Sequence, residues 1–479
     1  MENFNFWDFE VWGVFNLVAI LLVSLLAANS LKKLIPPLKR SLIPSSVLGG
    51  VLLLIVAVIY EAVTGQSMWN GSFFGGNGVG TLEILTYHAL SLGFIATTLK
   101  PSAGKFGRVR SREIFDTGVT TVATYLLQGI LGLGITLVIS LFVKELFAAS
   151  GIILPFGFGQ GTGQALNYGN IYEQEHGFIG GKSFGLTIAA VGFLSASIGG
   201  VIHLNILRKK GMQYDWNHGE EETKSLTLQD VQGPNEIPMN GSIDKLTMQL
   251  VLICLAYLMA YGIMAILGNL VGALRSILYG FNFLLGVLAA VIIKGVNNFL
   301  MKKKLVRRQH ISAFLMTRLS GFFFDIMIVA GVAAIRLDAL KSYWPIILIL
   351  WLVGAVSTYF YTHFAAKVLF PRYAEEQFMV TYGMLTGTAS TGIILLRELD
   401  PDFETPAAEN LVYQNFPAMV FGFPLMLLAA IAPDQPVLTL VIMAAFFVAM
   451  NIILFRRQLH LFFRRRRARS DRSDGNGRQ

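Results

Sequence analysis

Eleven long apolar stretches, separated by polar loops, constrain this chain more than any other feature. A helix needs about 20 apolar residues to cross the hydrocarbon core of a bilayer. The chain is 54% hydrophobic and only 14% charged, so it is predicted to be an all-α polytopic membrane protein. The predicted spans lie near residues 12–30, 43–61, 82–99, 118–143, 184–207, 247–268, 274–297, 311–335, 343–369, 411–432 and 436–456.

Basic residues mark alternate ends of these spans. Lysine and arginine in short loops resist translocation, so loops rich in them stay in the cytoplasm. This rule predicts a protein of the cytoplasmic (inner) membrane with its N-terminus outside and its C-terminus in the cytoplasm. It also accounts for the net charge of +9 without a role in nucleic-acid binding. The basic clusters lie in residues 32–40, 100–112, 208–210, 302–308 and 455–469, whereas residues 61–80 contain no lysine or arginine.

The spans divide the chain into two halves around a polar segment. Each half contains five spans, and because five is an odd number the second half must cross the membrane in the opposite sense to the first. The sequence therefore predicts two inverted repeats of five transmembrane helices, each with a re-entrant hairpin. The predicted parts are a first repeat over 1–210, a cytoplasmic linker over 211–244, a second repeat over 245–432, and an eleventh helix with a basic tail over 433–479.

Two glycine-rich segments occupy matching places in the two halves. The first reads PFGFGQGTGQALNYG over 155–169, and the second reads YGMLTGTASTG over 382–392, at an offset of 224 residues. Non-helical backbone inside a bilayer is tolerated only where it is buried in protein or lines a water-filled cavity. The segments therefore predict re-entrant hairpins at about 152–170, entering from outside, and at about 378–397, entering from the cytoplasm. Their tips are expected to meet near the midplane and to form a solute site.

The glycine segments offer the groups that a small anion and a cation require. Backbone N–H groups and helix N-termini attract anions, while carbonyl and hydroxyl oxygens can bind Na⁺ without a carboxylate. The alternative is that these small and polar residues only pack helices together. The candidate substrate and ion-binding residues are Gly159, Gln160, Gly161, Thr162, Gly163, Gln164, Asn167, Gly383, Thr386, Gly387, Thr388, Ser390 and Thr391.

Two charged residues outside these motifs are further candidates. Asp325 lies within a predicted span and is a candidate for binding a cation or a proton, because intramembrane carboxylates are costly unless they are paired or functional. The alternative is a structural partnership with Arg318, Lys294 or a polar neighbour. Arg397 follows the second glycine segment and could bind a substrate carboxylate, or it could pair with Glu398 or Asp400 at the membrane interface.

Metal centres and enzyme active sites are not predicted. His88, His203 and His363 lie in or at the ends of spans, but none is spaced from another histidine or an acid as metal ligands usually are. The sequence contains no H-E-x-x-H motif, no G-x-S-x-G motif and no G-x-x-x-x-G-K-[ST] loop. The chain is therefore expected not to be an enzyme and to need no cofactor, with Na⁺ as a coupling ion.

The segment GFGQGTGQA at 157–165, its counterpart YGMLTGTASTG and the two inverted halves resemble the bacterial glutamate:sodium symporter family, which is related to the 2-hydroxycarboxylate transporters. The likeness extends over most of residues 12–432. It implies Na⁺-coupled uptake of glutamate by a homodimer in which a transport domain slides against a scaffold, with the two glycine segments as the site. The long linker, the eleventh span and the arginine-rich tail depart from the family pattern.

Other functions stay open at the level of the sequence. A carrier of another carboxylate, coupled to Na⁺ or to H⁺ through Asp325, would use the same architecture. Re-entrant segments also suit a channel, which would be distinguished by its much higher flux. An intramembrane enzyme is disfavoured because the sequence offers no nucleophile with a partnering base.

Overall fold

The computed structural model describes residues 5–101, 107–211, 236, 244–272, 275–401 and 403–458. These residues are almost entirely helical, and the described part of the chain contains no β-strand beyond an isolated bridge between Glu236 and Gln309. Most of the predicted linker and the tail after residue 458 lie outside the described residues. Within the described residues, ten helices are long and apolar enough to cross a membrane, and a bent pair brings the number to eleven. The prediction of an all-α polytopic membrane protein is therefore confirmed.

The helices of the first half follow the predicted spans closely. Helix α5 is longer than a membrane crossing requires, and α6 contains the first glycine segment. The short helix α2 lies in the first basic loop. The helices are α1 (Phe9–Leu34), α2 (Pro36–Arg40), α3 (Ser45–Thr64), α4 (Gly78–Leu99), α5 (Arg108–Ser140), α6 (Leu154–Glu175) and α7 (Gly181–Lys209).

The second half also consists mainly of long helices, and its last helix follows the bent pair. Helices α13 and α14 contain the second glycine segment. The helices are α8 (Lys245–Leu270), α9 (Arg275–Gly280), α10 (Asn282–Lys302), α11 (Ala313–Ala333), α12 (Trp344–Leu369), α13 (Ala374–Thr386), α14 (Ala389–Arg397), α15 (Ala407–Tyr413), α16 (Asn415–Ile431) and α17 (Pro436–Leu454).

Two predicted spans differ from the structure in detail. The seventh span begins at Asn282 and not near residue 274, because the Asn282 side chain is buried and donates to the Tyr87 carbonyl and the Tyr257 hydroxyl, both at 3.3 Å. The tenth span is broken between α15 and α16, whose axes differ by 49°. Pro417 follows this break, and proline both removes a helical hydrogen bond and clashes with the preceding turn.

The helices pack as two bundles. The first bundle contains α1, α3, α4, α8, α10 and α11, with α4 against both α10 and α11. The second bundle contains α5, α6, α7 and α12 to α17, with α5 against α12, α16 and α17. The bundles meet where α6 packs against α4 and α11. The first glycine segment therefore lies at the boundary between the two bundles.

Candidate functional site

The first glycine segment folds back on itself as a hairpin. Helix α6 is interrupted at Gly161, whose backbone angles of φ 79° and ψ −170° are essentially restricted to glycine. The rings of Phe156 and Tyr168 lie 4.1 Å apart, whereas a straight helix would separate these residues by about 18 Å along its axis. At the open end of the hairpin, the rings of Phe147 and Tyr172 are 5.5 Å apart. Gly161 is therefore the tip, and the end near Phe147 is the base.

The second glycine segment forms a second hairpin from α13 and α14. The helices are separated by Gly387 (φ −139°, ψ −108°) and by Thr388, which has extended backbone. The Thr388 hydroxyl accepts a hydrogen bond from the Thr391 N–H at 3.3 Å and so caps α14. The two arms touch through their backbones, because a Cβ on Gly383 would lie 2.7 Å from the Cα of Gly392. Gly387 and Thr388 thus form the tip of the second hairpin.

Helix α7 contacts the bases of both hairpins, at opposite ends. Near its start, a Cβ on Gly181 would lie 2.6 Å from the carbonyl oxygen of Gly169, in the first hairpin. Near its end, His203 Nε2 lies 3.0 Å from Glu375 Oε2, at the base of the second hairpin. These two points on α7 are about 33 Å apart at 1.5 Å per residue, which is close to the thickness of the hydrocarbon core. The hairpins therefore enter the protein from opposite ends of a membrane-spanning helix.

The two tips lie against each other. A Cβ on Gly161 would lie 3.8 Å from Thr388 Cγ2 and 3.6 Å from Met327 Cε, which belongs to α11. A Cβ on Gly192, in the middle of α7, would lie 2.6 Å from the carbonyl oxygen of Thr386. The structure therefore brings the two predicted segments together at their tips, between α7 and the first bundle.

Two polar residues of α5 stabilise the broken helices, and the sequence analysis did not single them out. The Tyr125 hydroxyl donates to the Gly159 carbonyl at 3.0 Å, and Gln128 Nε2 donates to the Leu385 carbonyl at 3.0 Å and to Thr358 Oγ1 at 2.8 Å. The last carbonyls of a helix lack partners within the helix, and no water is available in the hydrocarbon core to replace them. Each tip is therefore capped from the same helix.

The polar side chains of the first segment are buried and largely bonded to neighbouring helices. The Thr162 hydroxyl donates to the Met327 carbonyl at 3.2 Å, and Asn167 Nδ2 donates to the Gly280 carbonyl at 2.9 Å and to Gln164 Oε1 at 3.2 Å. Gln164 Nε2 is buried and finds no hydrogen-bond partner among the described residues. It is a donor that a bound solute could satisfy.

Close packing limits the size of the side chain that fits at two of the remaining candidates of the first segment. A Cβ on Gly159 would lie 2.0 Å from Tyr125 Cε1, and one on Gly163 would lie 2.8 Å from Leu90 Cδ1. Neither position can therefore carry a larger side chain without a shift of the neighbour. Gln160 is only partly buried.

The second segment is more open. The Thr386 hydroxyl is buried and donates to the Tyr382 carbonyl at 2.7 Å, within its own helix. The hydroxyls of Thr388 and Thr391 lie 3.2 Å apart. Thr388 is half-buried, and Ser390 is exposed just beyond the tip. Hydroxyl oxygens of this hairpin are therefore accessible next to the buried tip of the first.

Asp325 lies on α11 and pairs with neither of the two predicted basic partners, Arg318 and Lys294. Its side chain is exposed, and Ser46 on α3 is its polar neighbour. Lys294 instead donates to main-chain carbonyls at the end of α4, those of Thr98 and Lys100, and Arg318 lies over a phenylalanine ring at 5.3 Å. Of the structural alternatives, only the polar neighbour is found among the described residues.

Arg397 does not lie at the tips. It is exposed at the last residue of α14, which is about 15 Å from Gly387 at 1.5 Å per residue. Its guanidinium lies over the ring of Phe403 at 5.4 Å. The carboxylate of Asp400, one predicted partner, accepts hydrogen bonds from the N–H groups of Glu404 at 2.8 Å and Thr405 at 2.9 Å. The structure therefore separates Arg397 from the other candidates.

A cavity of about 410 Å³ opens beside the second arm of the first hairpin. Its wall includes Asn167 together with Lys182, whose Nζ lies 2.7 Å from Glu83 Oε2. Sequence analysis did not single out Lys182 as a candidate site residue, although a lysine at the start of an apolar span is visible in the sequence. The other lining residues are Ile84, Tyr87, Leu166, Asn170, Ile171, Gln174, Glu175, Tyr279 and Gly280.

None of His88, His203 and His363 is spaced in the sequence as metal ligands usually are, yet the structure brings two of them together with an acid. His203, His363 and Glu375 converge at the base of the second hairpin, on α7, α12 and α13. His203 lies 172 residues before Glu375 in the sequence, so only the fold brings it to the other two residues. Spacing along the sequence gave no signal of this cluster.

Comparison of the chain with protein-family models, with curated proteins and with solved structures finds no match. The function is therefore argued from the geometry of the two hairpins and their surroundings.

Proposed function

We propose that this protein is a secondary active transporter that carries glutamate across the cytoplasmic membrane together with Na⁺. The observation that carries the proposal is the meeting of the hairpin tips, Gly161 against Thr388, after entry from opposite ends of α7. Paired helix breaks in matching halves are typical of solute sites in carriers. The resemblance to the bacterial glutamate:sodium symporter family supplies the substrate and the ion.

The packing of the helices supports an inverted repeat over 1–210 and 245–432. Helix α1 packs on α3 as α8 packs on α10, and α3 packs on α11 as α10 packs on α4. The pairs α4 with α11 and α5 with α12 then join corresponding helices of the two halves. Helix α17 has no counterpart in this scheme and packs along α5.

The tips offer both kinds of ligand that the proposal requires. The second arms of both hairpins begin at the tips, so their N-terminal N–H groups favour a substrate carboxylate. Gln164 Nε2, buried and without a partner among the described residues, adds a donor. The hydroxyls of Thr388 and Thr391, with main-chain carbonyls, are suitable oxygen ligands for Na⁺. Asp325 is proposed only as an additional candidate for the coupling cation.

The transport mechanism proposed is elevator-like alternating access by a homodimer. The division into two bundles supports it, because the second bundle carries both hairpins and could move as a unit against the first. The dimer and the orientation with the N-terminus outside rest on the resemblance and on the basic loops. Light scattering of the purified protein would measure the number of chains, and a value of one would exclude the dimer.

The test is uptake of labelled glutamate by proteoliposomes containing the purified protein, under a Na⁺ gradient, an H⁺ gradient or neither. We expect concentrative uptake under the Na⁺ gradient alone. Uptake driven only by H⁺ would replace the proposal by a proton-coupled carboxylate carrier. Flux that does not saturate and runs at channel rates would contradict a carrier of any kind.

A glycine substitution at the tip provides the matched control. Gly161→Ala is expected to abolish uptake, because its backbone conformation excludes other residues. Gly262→Ala, on α8, is expected to retain it, since a Cβ there meets no described atom within 4 Å. Equal activity of the two variants would remove the first tip from the site.

A further inference from the structure

The histidine cluster has the composition of a metal site that is separate from the hairpin tips. His203 Nε2 lies 3.0 Å from Glu375 Oε2, and His363 Nδ1 lies 3.7 Å from the same oxygen. The three ligand atoms all lie within 4.8 Å of one another. Two imidazole nitrogens and one carboxylate oxygen are a common ligand set of Zn²⁺ with one open position.

The spacing fits a tetrahedral ion with little movement. Zn²⁺ binds nitrogen and oxygen at about 2.0–2.2 Å, which separates its ligand atoms by roughly 3.3–3.5 Å in a tetrahedron. The two distances to Glu375 already lie close to this range. The separation of the two histidine nitrogens, which is at most 4.8 Å, needs to shorten by at most about 1.5 Å.

The surroundings of the cluster orient its ligands. His203 Nδ1 lies 2.8 Å from the Tyr359 hydroxyl. Histidine ligands usually donate their second ring nitrogen to such a partner, which fixes the ring and the tautomer. The Phe378 ring packs against His203 at 4.4 Å and against His363 at 4.8 Å. The Phe378 ring therefore covers one side of the cluster, while 21% of the side-chain surface of His363 and of Glu375 stays exposed.

One atom of the cluster lacks a partner. His363 Nδ1 is buried and makes no hydrogen bond within the part of the chain that the structure describes. A buried polar atom without a partner is costly, and a bound ion would satisfy it. Lys210 and Lys367 also act electrostatically on His363. Their positive charge opposes any cation, so binding rests on direct coordination by the imidazole nitrogens, which Zn²⁺ prefers and Na⁺ does not.

We propose that His203, His363 and Glu375 bind one Zn²⁺ ion, with water as the fourth ligand. Because the ligands come from α7, α12 and α13, the ion ties the base of the second hairpin to two long helices of the second bundle. It leaves the tip, formed by Gly387 and Thr388, free of the constraint. The site therefore stabilises the second bundle and does not need to take part in substrate binding.

The test is titration of the purified, tag-free, metal-stripped protein with Zn²⁺, followed by calorimetry and by metal analysis after gel filtration. We expect one Zn²⁺ per chain. Each of His203→Gln, His363→Gln and Glu375→Gln removes a direct ligand and is expected to weaken binding by at least about 100-fold, the upper end of the loss that is typical for an outer-shell partner. The control is His88→Gln in the first bundle, where an exposed histidine lies 2.6 Å from the Tyr257 hydroxyl, and it should bind as the parent does.

Two further readouts separate loss of the site from loss of the fold. Zn²⁺ should raise the thermal unfolding temperature of the parent and of His88→Gln but not of the three site variants. Co²⁺ in the parent should give the visible absorption of tetrahedral coordination. Two results would overturn the proposal. One is an unchanged Zn²⁺ stoichiometry in a variant that carries all three substitutions, and the other is the absence of Zn²⁺ binding by a folded parent.

Discussion

The two hairpins share a design but differ in how tightly the protein encloses them. The first is buried along most of its length and breaks at one residue, Gly161. The second breaks over Gly387 and Thr388, and its return helix α14 begins with exposed Ala389 and Ser390. The first is also wedged between the two bundles, against α4 and α11.

This difference indicates different roles. A segment with few buried contacts opens at lower free energy than one that is packed on all sides. We therefore expect the second hairpin to open and close over the substrate within the second bundle, while the first hairpin keeps its shape as that bundle moves. The following predictions test this contrast, beginning with the largest effect.

The first prediction compares the two tip glycines. Gly161→Ala should destabilise the protein by about 1–3 kcal/mol because its φ and ψ are essentially restricted to glycine. Gly387→Ala should cost less, since its φ of −139° is not in the positive region restricted to glycine and the nearest atom to a new Cβ is the Thr391 hydroxyl oxygen, at 2.9 Å and at the end of a side chain. Thermal unfolding in detergent measures both.

Gly134→Ala on α5 is the control for the glycine pair, because a Cβ there meets no described atom within 4 Å. It should be neutral or stabilising by about 0.5–1 kcal/mol. If Gly387→Ala proved more damaging than Gly161→Ala, the second hairpin would be the more constrained one.

The second prediction concerns the caps from α5. Gln128→Leu leaves the buried Leu385 carbonyl without its partner and should cost about 1–3 kcal/mol. Tyr125→Phe removes a single hydrogen bond to Gly159 and should cost about 1 kcal/mol. Chemical denaturation of the two variants and the parent measures the loss of unfolding free energy. A larger loss for Tyr125→Phe than for Gln128→Leu would contradict this prediction.

The third prediction uses thiol labelling. In a Cys254→Ser background, which removes the single native cysteine, Ser390→Cys should react with a polar thiol reagent at least about tenfold faster than Thr162→Cys. Bound Na⁺ and glutamate should slow the reaction at residue 390 if the second hairpin closes over the substrate. Equal rates at the two positions would mean that both hairpins are equally open.

The smallest effect is expected at Arg397. Because it is exposed at the far end of α14, Arg397→Gln should change stability by no more than about 0.5 kcal/mol and leave uptake within about twofold. A large rise in the substrate concentration needed for half-maximal uptake would instead return Arg397 to the binding site.

Much of the fold follows from the apolar pattern, because the bilayer requires long helices whose length and composition are visible in the sequence. The breaks at Gly161 and Gly387 were also predictable, since glycine-rich polar segments cannot continue an apolar helix. The true start of α10 was not, because Asn282 is retained by partners on α4 and α8 that no local pattern reveals.

The site could be predicted only where its residues are neighbours in the sequence. Gln128 and Tyr125 were assigned to an ordinary span, because their partners lie on the two hairpins and the sequence does not show which way a polar side chain points. His203 and Glu375 were missed for the same reason. Local motifs locate the broken backbone, and tertiary packing decides which distant side chains complete it.

The tip of the first hairpin also has a consequence for biosynthesis. The Thr162 hydroxyl bonds to the Met327 carbonyl, and Gly161 lies against Thr388, so both partners are translated after the hairpin itself has entered the membrane. Until these partners are made, the interrupted backbone of the first hairpin lacks the neighbours that it contacts in the folded protein. Neither half can therefore complete this tip by itself, and a nascent chain released after the first half would leave the Thr162 hydroxyl without its carbonyl partner and Gly161 without the second tip against it.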